Sequence, residues 1–315
     1  MRTITDIIKI CVFTVFSFVL AGCSEFFEED ISDKEITLLS PGEGIETEIA
    51  TQTFWWEKLE NTQDYRLQIV SPSFEDAENV IADTLVSGDK YKITLYPGSY
   101  EWRVRGENNA YVSKWKSRHL TIIDTDDLTK QTVLLRNPAN NLFTNSPDIN
   151  FSWDGVFNAA SYEFKIFTDG WNVTAHTGKT GLADNAINLD MEEGEFWWGA
   201  RAVNESSQTL YSHSRFVIDR MPPDKPVLLS PQDKDNVDNA AVAFSWDSND
   251  PVWQKVIDTL YIYEGNEVLY HKEEFDEKNA VVQLESGKTY TWKVISVDLA
   301  GNESEPSSVY EFRVR

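Results

Sequence analysis

The sequence is short of almost everything that chemistry usually requires. Of 315 residues only two are cysteine, Cys11 and Cys23, and only four are histidine. A soft-metal or zinc centre needs such ligands grouped, and neither an HExxH pair nor a cysteine pair with ligand spacing occurs. Basic charge is also scarce, with 28 Lys and Arg against 52 Asp and Glu. That balance argues against nucleic acid and anionic lipid headgroups as partners. No apolar run reaches the length of a bilayer-spanning helix, since residues 10–20 fall well short of about 20 residues. After residue 35 no stretch carries a convincing helical period. A GxSxG nucleophile elbow is missing as well. Ser286-Gly287-Lys288-Thr289 and Thr177-Gly178-Lys179-Thr180 imitate a phosphate loop, but Val282 and Val173 stand where its first glycine must be. Carboxylates are so plentiful that a pair suited to general acid–base work carries no information. The sequence therefore predicts no catalytic residue and no cofactor.

What is present begins at the N-terminus. Arg2 and Lys9 precede the apolar run at 10–20, and small residues and a cysteine follow as Leu20-Ala21-Gly22-Cys23. This is the layout of a secretory signal over 1–22, and its end resembles the lipobox of bacterial lipoproteins. The resemblance implies cleavage before Cys23 and lipidation of its sulfur, so that Cys23 is the expected membrane anchor. Cys11 would leave with the signal, and the mature chain would hold no disulfide. Removing Arg2, Lys9 and Asp6 turns 28 basic and 52 acidic residues into 26 and 51. The acidic stretch Ser24-Glu25-Phe26-Phe27-Glu28-Glu29-Asp30 reads as a tether over 23–35. It also resembles the export signals that place lipoproteins on the outer face of the outer membrane, and a solvated linker is the competing reading.

Beyond the tether one strand-rich unit is written three times. Trp56, Trp153 and Trp246 each lie 15 residues after a proline, at Pro41, Pro138 and Pro231, and 46, 45 and 46 residues before Trp102, Trp198 and Trp292. Spacings this constant mark a repeated domain rather than repeated composition. Period-two alternation in Tyr65-Arg66-Leu67-Gln68-Ile69 and Tyr162-Glu163-Phe164-Lys165-Ile166, and the matching run Leu260-Tyr261-Ile262-Tyr263, predict strands with one buried face. Each unit adds a leucine or methionine, a glycine turn and an aromatic, as in Leu95-Tyr96-Pro97-Gly98-Ser99-Tyr100.

Seven short strands at this pitch suggest a two-sheet sandwich. The second-strand tryptophan, the leucine-turn-glycine-tyrosine corner and the alternating strand after it resemble fibronectin type III domains. The expected fold is thus all-β: three tandem fibronectin type III-like, immunoglobulin-like β-sandwiches at 36–123, 131–219 and 224–315, after a lipoprotein signal peptide. Asp298-Leu299-Ala300-Gly301-Asn302-Glu303-Ser304 looks like a loop phrase of bacterial members of the fold. Paired prolines in Asp219-Arg220-Met221-Pro222-Pro223-Asp224 should make the second junction bend less than the first, at 124–130.

Candidate sites come from what the repeats leave over. Six tryptophans occupy repeated positions and belong to the cores, and the pleat turns Trp55 and Trp197 to the opposite faces. Trp115, Trp171 and Trp253 lie in loops or turns without counterparts in the other units. Trp115, with Tyr111 nearby, is the candidate platform for a neutral glycan, whose apolar C–H face stacks on an aromatic ring. Trp171 and Trp253 are expected at the junction of the second and third units. Asp247, Asp250 and Asp298, with Asp224 in the linker, are oxygen ligands that can hold calcium, against the alternative of plain solvated acid. Together these features predict a non-catalytic, lipid-anchored envelope protein that acts as a structural or protein-interaction scaffold, at the outer membrane and exposed on the cell surface. Its expected partners are the membrane through Cys23 and an envelope protein, or alternatively a neutral glycan taken up by a polysaccharide uptake system.

Overall fold

The computed structural model describes residues 28–250, 255–265 and 268–315. The expected signal at 1–22, Cys23 and Trp253 lie outside the described residues. Strands make up the fold, and among the described residues no helix is long and apolar enough to cross a membrane.

In the first unit the strands are β1 (Leu38–Ser40), β2 (Ile45–Thr47), β3 (Thr51–Trp56), β4 (Asp64–Ser71), β5 (Asn79–Val86), β6 (Lys90–Thr94), β7 (Gly98–Glu107) and β8 (Lys116–Ile122). The second has β9 (Leu135–Asn137), β10 (Leu142–Thr144), β11 (Asp148–Trp153), β12 (Ser161–Thr168), β13 (Thr174–Leu182), β14 (Ala186–Asp190), β15 (Gly194–Val203) and β16 (Ser212–Ile218). The third has β17 (Val227–Ser230), β18 (Asp235–Val237), β19 (Ala241–Asp247), β20 (Val256–Glu264), β21 (Val268–Phe275), β22 (Asn279–Gln283), β23 (Thr289–Asp298) and β24 (Tyr310–Val314). Each unit is a three-stranded sheet, ordered β1-β3-β6 in the first, and a five-stranded sheet, ordered β2-β8-β7-β4-β5, and the other two units repeat that order. Eight strands rather than seven result, because a short strand pairs parallel with the last one, as Ile45 does with Leu120. The chain divides into two compact units, one holding the described residues up to Gly42 with 54–91 and 100–119, the other holding 43–53, 92–99 and 120–315.

Alternation decides which way each side chain points. On β3 it sends Phe54 and Trp56 inward and leaves Trp55 exposed, with Lys90 over its ring at 4.4 Å. Trp56, Trp102, Trp153, Trp198, Trp246 and Trp292 are all buried, as the repeats predict. Phe54 meets Trp102 edge-on at 4.9 Å, and Phe151 meets Trp198 the same way at 5.1 Å, as Phe244 does Trp292 at 5.1 Å. Burying one indole removes roughly 200 Å² from water, worth about 5 kcal/mol as an upper figure.

The third core departs from the first two at one position. Where β4 and β12 place Tyr65 and Tyr162, β20 places Asp258, as the shared registers Leu67–Val104, Phe164–Ala200 and Leu260–Val294 show. The tyrosine rings lie against Trp56 and Trp153 at 5.6 and 5.5 Å, and their hydroxyls accept the backbone N–H of Leu59 and Val156. The indole Nε1 atoms of Trp56 and Trp153 are left buried without a hydrogen bond. In the third unit Asp258, fully buried, accepts Trp246 Nε1 at 2.7 Å, the Ser248 hydroxyl at 2.6 Å and the Ser296 hydroxyl. A polar knot here replaces an aromatic contact. Asp258→Ala should therefore destabilise the third sandwich by about 2–4 kcal/mol, since it orphans a buried indole donor and two hydroxyls. Urea unfolding followed by tryptophan fluorescence reads this as one transition moved to lower denaturant, and an unmoved transition would contradict it.

Candidate functional sites

Outward faces of the five-stranded sheets are the first place to look. On β7 the residues opposite Trp102 and Val104 are Glu101, Arg103, Arg105 and Glu107. The Arg103 guanidinium lies 3.9 Å from the Phe74 ring and 4.4 Å from Trp115, and that of Arg105 lies 4.6 Å from Trp115. Same-face neighbours on one strand are about 7 Å apart, so Trp115 is held between the two arginines. Gln68 accepts from Arg103 Nε at 2.9 Å, and Glu107 pairs with Arg105 at 2.8 Å, fixing both. Burial holds the Arg103 pKa below its ordinary value despite the Glu101 carboxylate nearby. Trp115 is thus a rung of a cation–π ladder. Both guanidiniums engage its half-buried ring, and Tyr111, 38 % exposed, makes no ring contact with it. The expected sugar platform is not assembled.

Trp115 also has the counterpart that the sequence reading denied it. Tyr211 stands one residue before β16 as Trp115 stands one before β8, and it takes the same rung with Lys165 and Arg201 over its ring at 4.9 and 4.8 Å. Its hydroxyl donates to Glu163 Oε2 at 2.8 Å, and Arg201 pairs with that carboxylate at 2.8 Å. Gly199 occupies the position of Arg103, and the space belongs to Trp171. A Cβ on Gly199 would stand 2.6 Å from the indole and 2.4 Å from the Ser212 carbonyl oxygen. Trp171 stacks on His213 at 5.0 Å and meets Phe167 edge-on at 4.9 Å. It therefore packs on its own sheet rather than at a junction, which corrects the expectation for Trp171. In the third unit Lys293 at the same position lies 5.4 Å from Tyr261 and 5.9 Å from Tyr263.

The second place is the segment leading into each sandwich. Asn108 Nδ2 donates to the carbonyls of Glu29 and Asn61, both at 3.0 Å, while its Oδ1 caps Ala110 and Tyr111 N–H. Asn204 does the same to Asp126 and Asn158, at 2.8 and 3.3 Å, and caps Ser206 and Ser207. Beside these clasps Ile31 and Leu128 are fully buried. Residues 28–35 are consequently docked on the first unit and not a free tether, which Lys114–Asp33 and Lys116–Glu35 ion pairs reinforce. The first linker is tied at both ends too. Gln131 donates to the Glu48 carbonyl at 2.6 Å and accepts from Ala50 N at 3.0 Å, and Tyr96 meets Phe157 at 6.0 Å. The first linker is thus held by contacts of its own, as the second is by Asn302 to the Asp219 carbonyl and Arg220 to that of Met191.

At the third unit Asp298 stands where Asn108 and Asn204 stand. A carboxylate cannot donate, and the donor role moves to Asn302, whose Nδ2 reaches the Asp219 carbonyl at 2.8 Å and Asp298 Oδ2 at 2.7 Å. Asp219, Asp250 and Asp298 are buried together, one carboxylate oxygen of each lying within 4.8 Å of the others. Burial raises the Asp219 pKa, and the Asp298, Asp250 and Glu193 charges add to that. Of the sequence candidates, Asp250 and Asp298 meet here. Asp247 does not, being exposed and paired with Lys278 at 3.3 Å, and Asp224 instead bonds the Asn249 carbonyl through its backbone N–H at 2.9 Å. No histidine joins a ligand cluster among the described residues.

No known family model matches the chain, and no curated protein does. Among solved structures, the chicken CNTN1 FN1–FN3 domains align over 88 % of this chain and 96 % of their own, at 12 % identity and a TM-score of 0.38. The fibronectin(III)-like modules of Clostridium thermocellum CbhA align over 58 % and 94 %, at 12 % identity and a TM-score of 0.39. Titin domains A168–A170 align over 87 % and 96 %, at 12 % identity and a TM-score of 0.37. The strand order, repeated three times, makes this an all-β chain of tandem fibronectin type III-like β-sandwiches.

The second sheet face has a pH signature. Burial favours the neutral acid of Glu163, but hydrogen bonds from Tyr211 and Arg201 outweigh it and lower its pKa. Burial and Glu163 push the Tyr211 phenol well up. A lowered folded pKa means that the contribution is complete above the unfolded value of about 4.3 and is lost as pH falls through the folded one. Glu163→Gln should reduce stability at pH 7 and flatten its decline below about pH 4.3. Denaturant unfolding at stepped pH checks this, and parallel curves for variant and wild type would contradict it.

Proposed function

We propose that the chain is a non-catalytic scaffold, anchored in the envelope through lipid on Cys23 and offering its sheet edges to a protein partner. The observation that carries this reading is where the aromatic rings go. Trp115, Tyr211 and Trp171 pack on their own sheet faces, which takes these three rings away from a sugar. The backbone edges of β5, β13 and β21, by contrast, are terminal in their sheets. An edge strand is a template for strand addition by another chain. β5 carries Val80, 68 % exposed, with Ile81 and Leu85, and β21 carries exposed Val268, Leu269 and Tyr270. Acidic charge keeps such a surface soluble and favours a basic partner.

The test has two arms. Cell fractionation should find the chain with membranes, and Cys23→Ser should release it; a variant that stays bound would end the anchor assignment. In native gels cast with a panel of polysaccharides, wild type and Trp115→Ala should migrate alike and unretarded. Retardation of the wild type that Trp115→Ala abolishes would establish the surface glycan-binding alternative in its place.

A further inference from the structure

We propose that Asp219, Asp250 and Asp298 form a binding site for a hard divalent cation of the calcium class, seated where the second linker enters the third sandwich.

The first two sandwiches clasp their incoming segments with neutral amides, Asn108 and Asn204. The third uses Asp298, and two further carboxylates face it. Asp219 is 2 % exposed, and its Oδ2 is buried and accepts no hydrogen bond among the described residues, while Oδ1 is taken by the Met221 N–H at 2.9 Å. Asp298 accepts three hydrogen bonds, from Ala300 N, Asn302 N and Asn302 Nδ2. Neither Asp219 nor Asp298 forms an ion pair among the described residues. Buried like charges without a counter-charge are costly, and a bound cation removes that cost.

Size and donor type select the ion. Calcium binds oxygen at about 2.3–2.6 Å, so oxygens on either side of one ion are up to roughly 5 Å apart. Separations within 4.8 Å fit a single shared calcium. All the side-chain ligands are carboxylate oxygens, which suit calcium and magnesium rather than zinc or copper. Magnesium would demand a tighter octahedron and keep several waters. The bound ion would join linker residue Asp219 to Asp250 after β19 and Asp298 at the end of β23. It would thereby lock the segment into the sandwich.

Terbium luminescence and isothermal titration with calcium chloride on the full chain test this. One calcium per chain is expected, with affinity in the range of about 0.1–1 mM typical of extracellular modules. Calcium should raise the melting temperature over that in chelator. Asp219→Asn keeps the Met221 bond and removes a charge, so in chelator it should melt at or above wild type while losing both uptake and the calcium shift. Asp250→Asn should also lose uptake, whereas Asp247→Asn, on the exposed aspartate, should retain it. No uptake by the wild type up to 10 times about 1 mM, or uptake and shift unchanged in both Asp219→Asn and Asp250→Asn, would overturn the proposal.

Discussion

Everything in this chain depends on burying a pair of tryptophans between a three-stranded and a five-stranded sheet. With no disulfide expected, the cohesion of each unit has to come from apolar contact. A phenylalanine edge-on to one buried indole supplies part of it three times over, through Phe54, Phe151 and Phe244. Position fixes consequence here. Because Trp56 and Trp102 must point inward, their alternation partners Trp55, Arg103 and Arg105 must point outward. The outer face is therefore a by-product of the core, and it is covered by whatever the sequence provides for it.

The three units solve that outer face differently. In the first, Arg103 and Arg105 grip Trp115; in the second, Gly199 makes room for Trp171 and Tyr211 takes the rung; in the third, Lys293 sits near two tyrosines. Each solution closes the face with cations and rings. The interior varies in the same spirit, with Asp258 knotting Trp246, Ser248 and Ser296 where two tyrosines stand in the other units. What the first two units share is an asparagine clasp on the incoming chain. It draws residues 28–35 and the first linker into the sandwiches they precede.

Much of the fold was legible because its signals are periodic. Spacing of proline and tryptophan revealed the repeat, and alternation revealed the strands. The candidate sites were less legible, since a lone aromatic in a loop has the same spelling whether it is free or stacked. Trp115 has no tryptophan counterpart because Tyr211 takes its place in the second unit. The clue that Trp171 packs at home lay in Gly199, a glycine at a position filled by Arg103 and Lys293 in the other repeats. Ile31 and Leu128, 97 residues apart like Ile36 and Val133, already marked the docked segments. The carboxylate cluster was legible in part: Asp250 and Asp298 stand among the candidate calcium ligands, whereas Asp219 enters the sequence only as the first residue of the second linker.

That the incoming segments belong to the sandwiches they precede is tested most directly by amide hydrogen exchange on the full chain. Residues 28–35 and 124–132 have buried side chains at Ile31, Leu128 and Gln131 and carbonyls clasped by Asn108 and Asn204. Protection of both segments approaching that of the strands they contact is the expected result. Exchange of both segments at unprotected rates, beside well-protected strands, would show that the units are strung on free tethers and would contradict it.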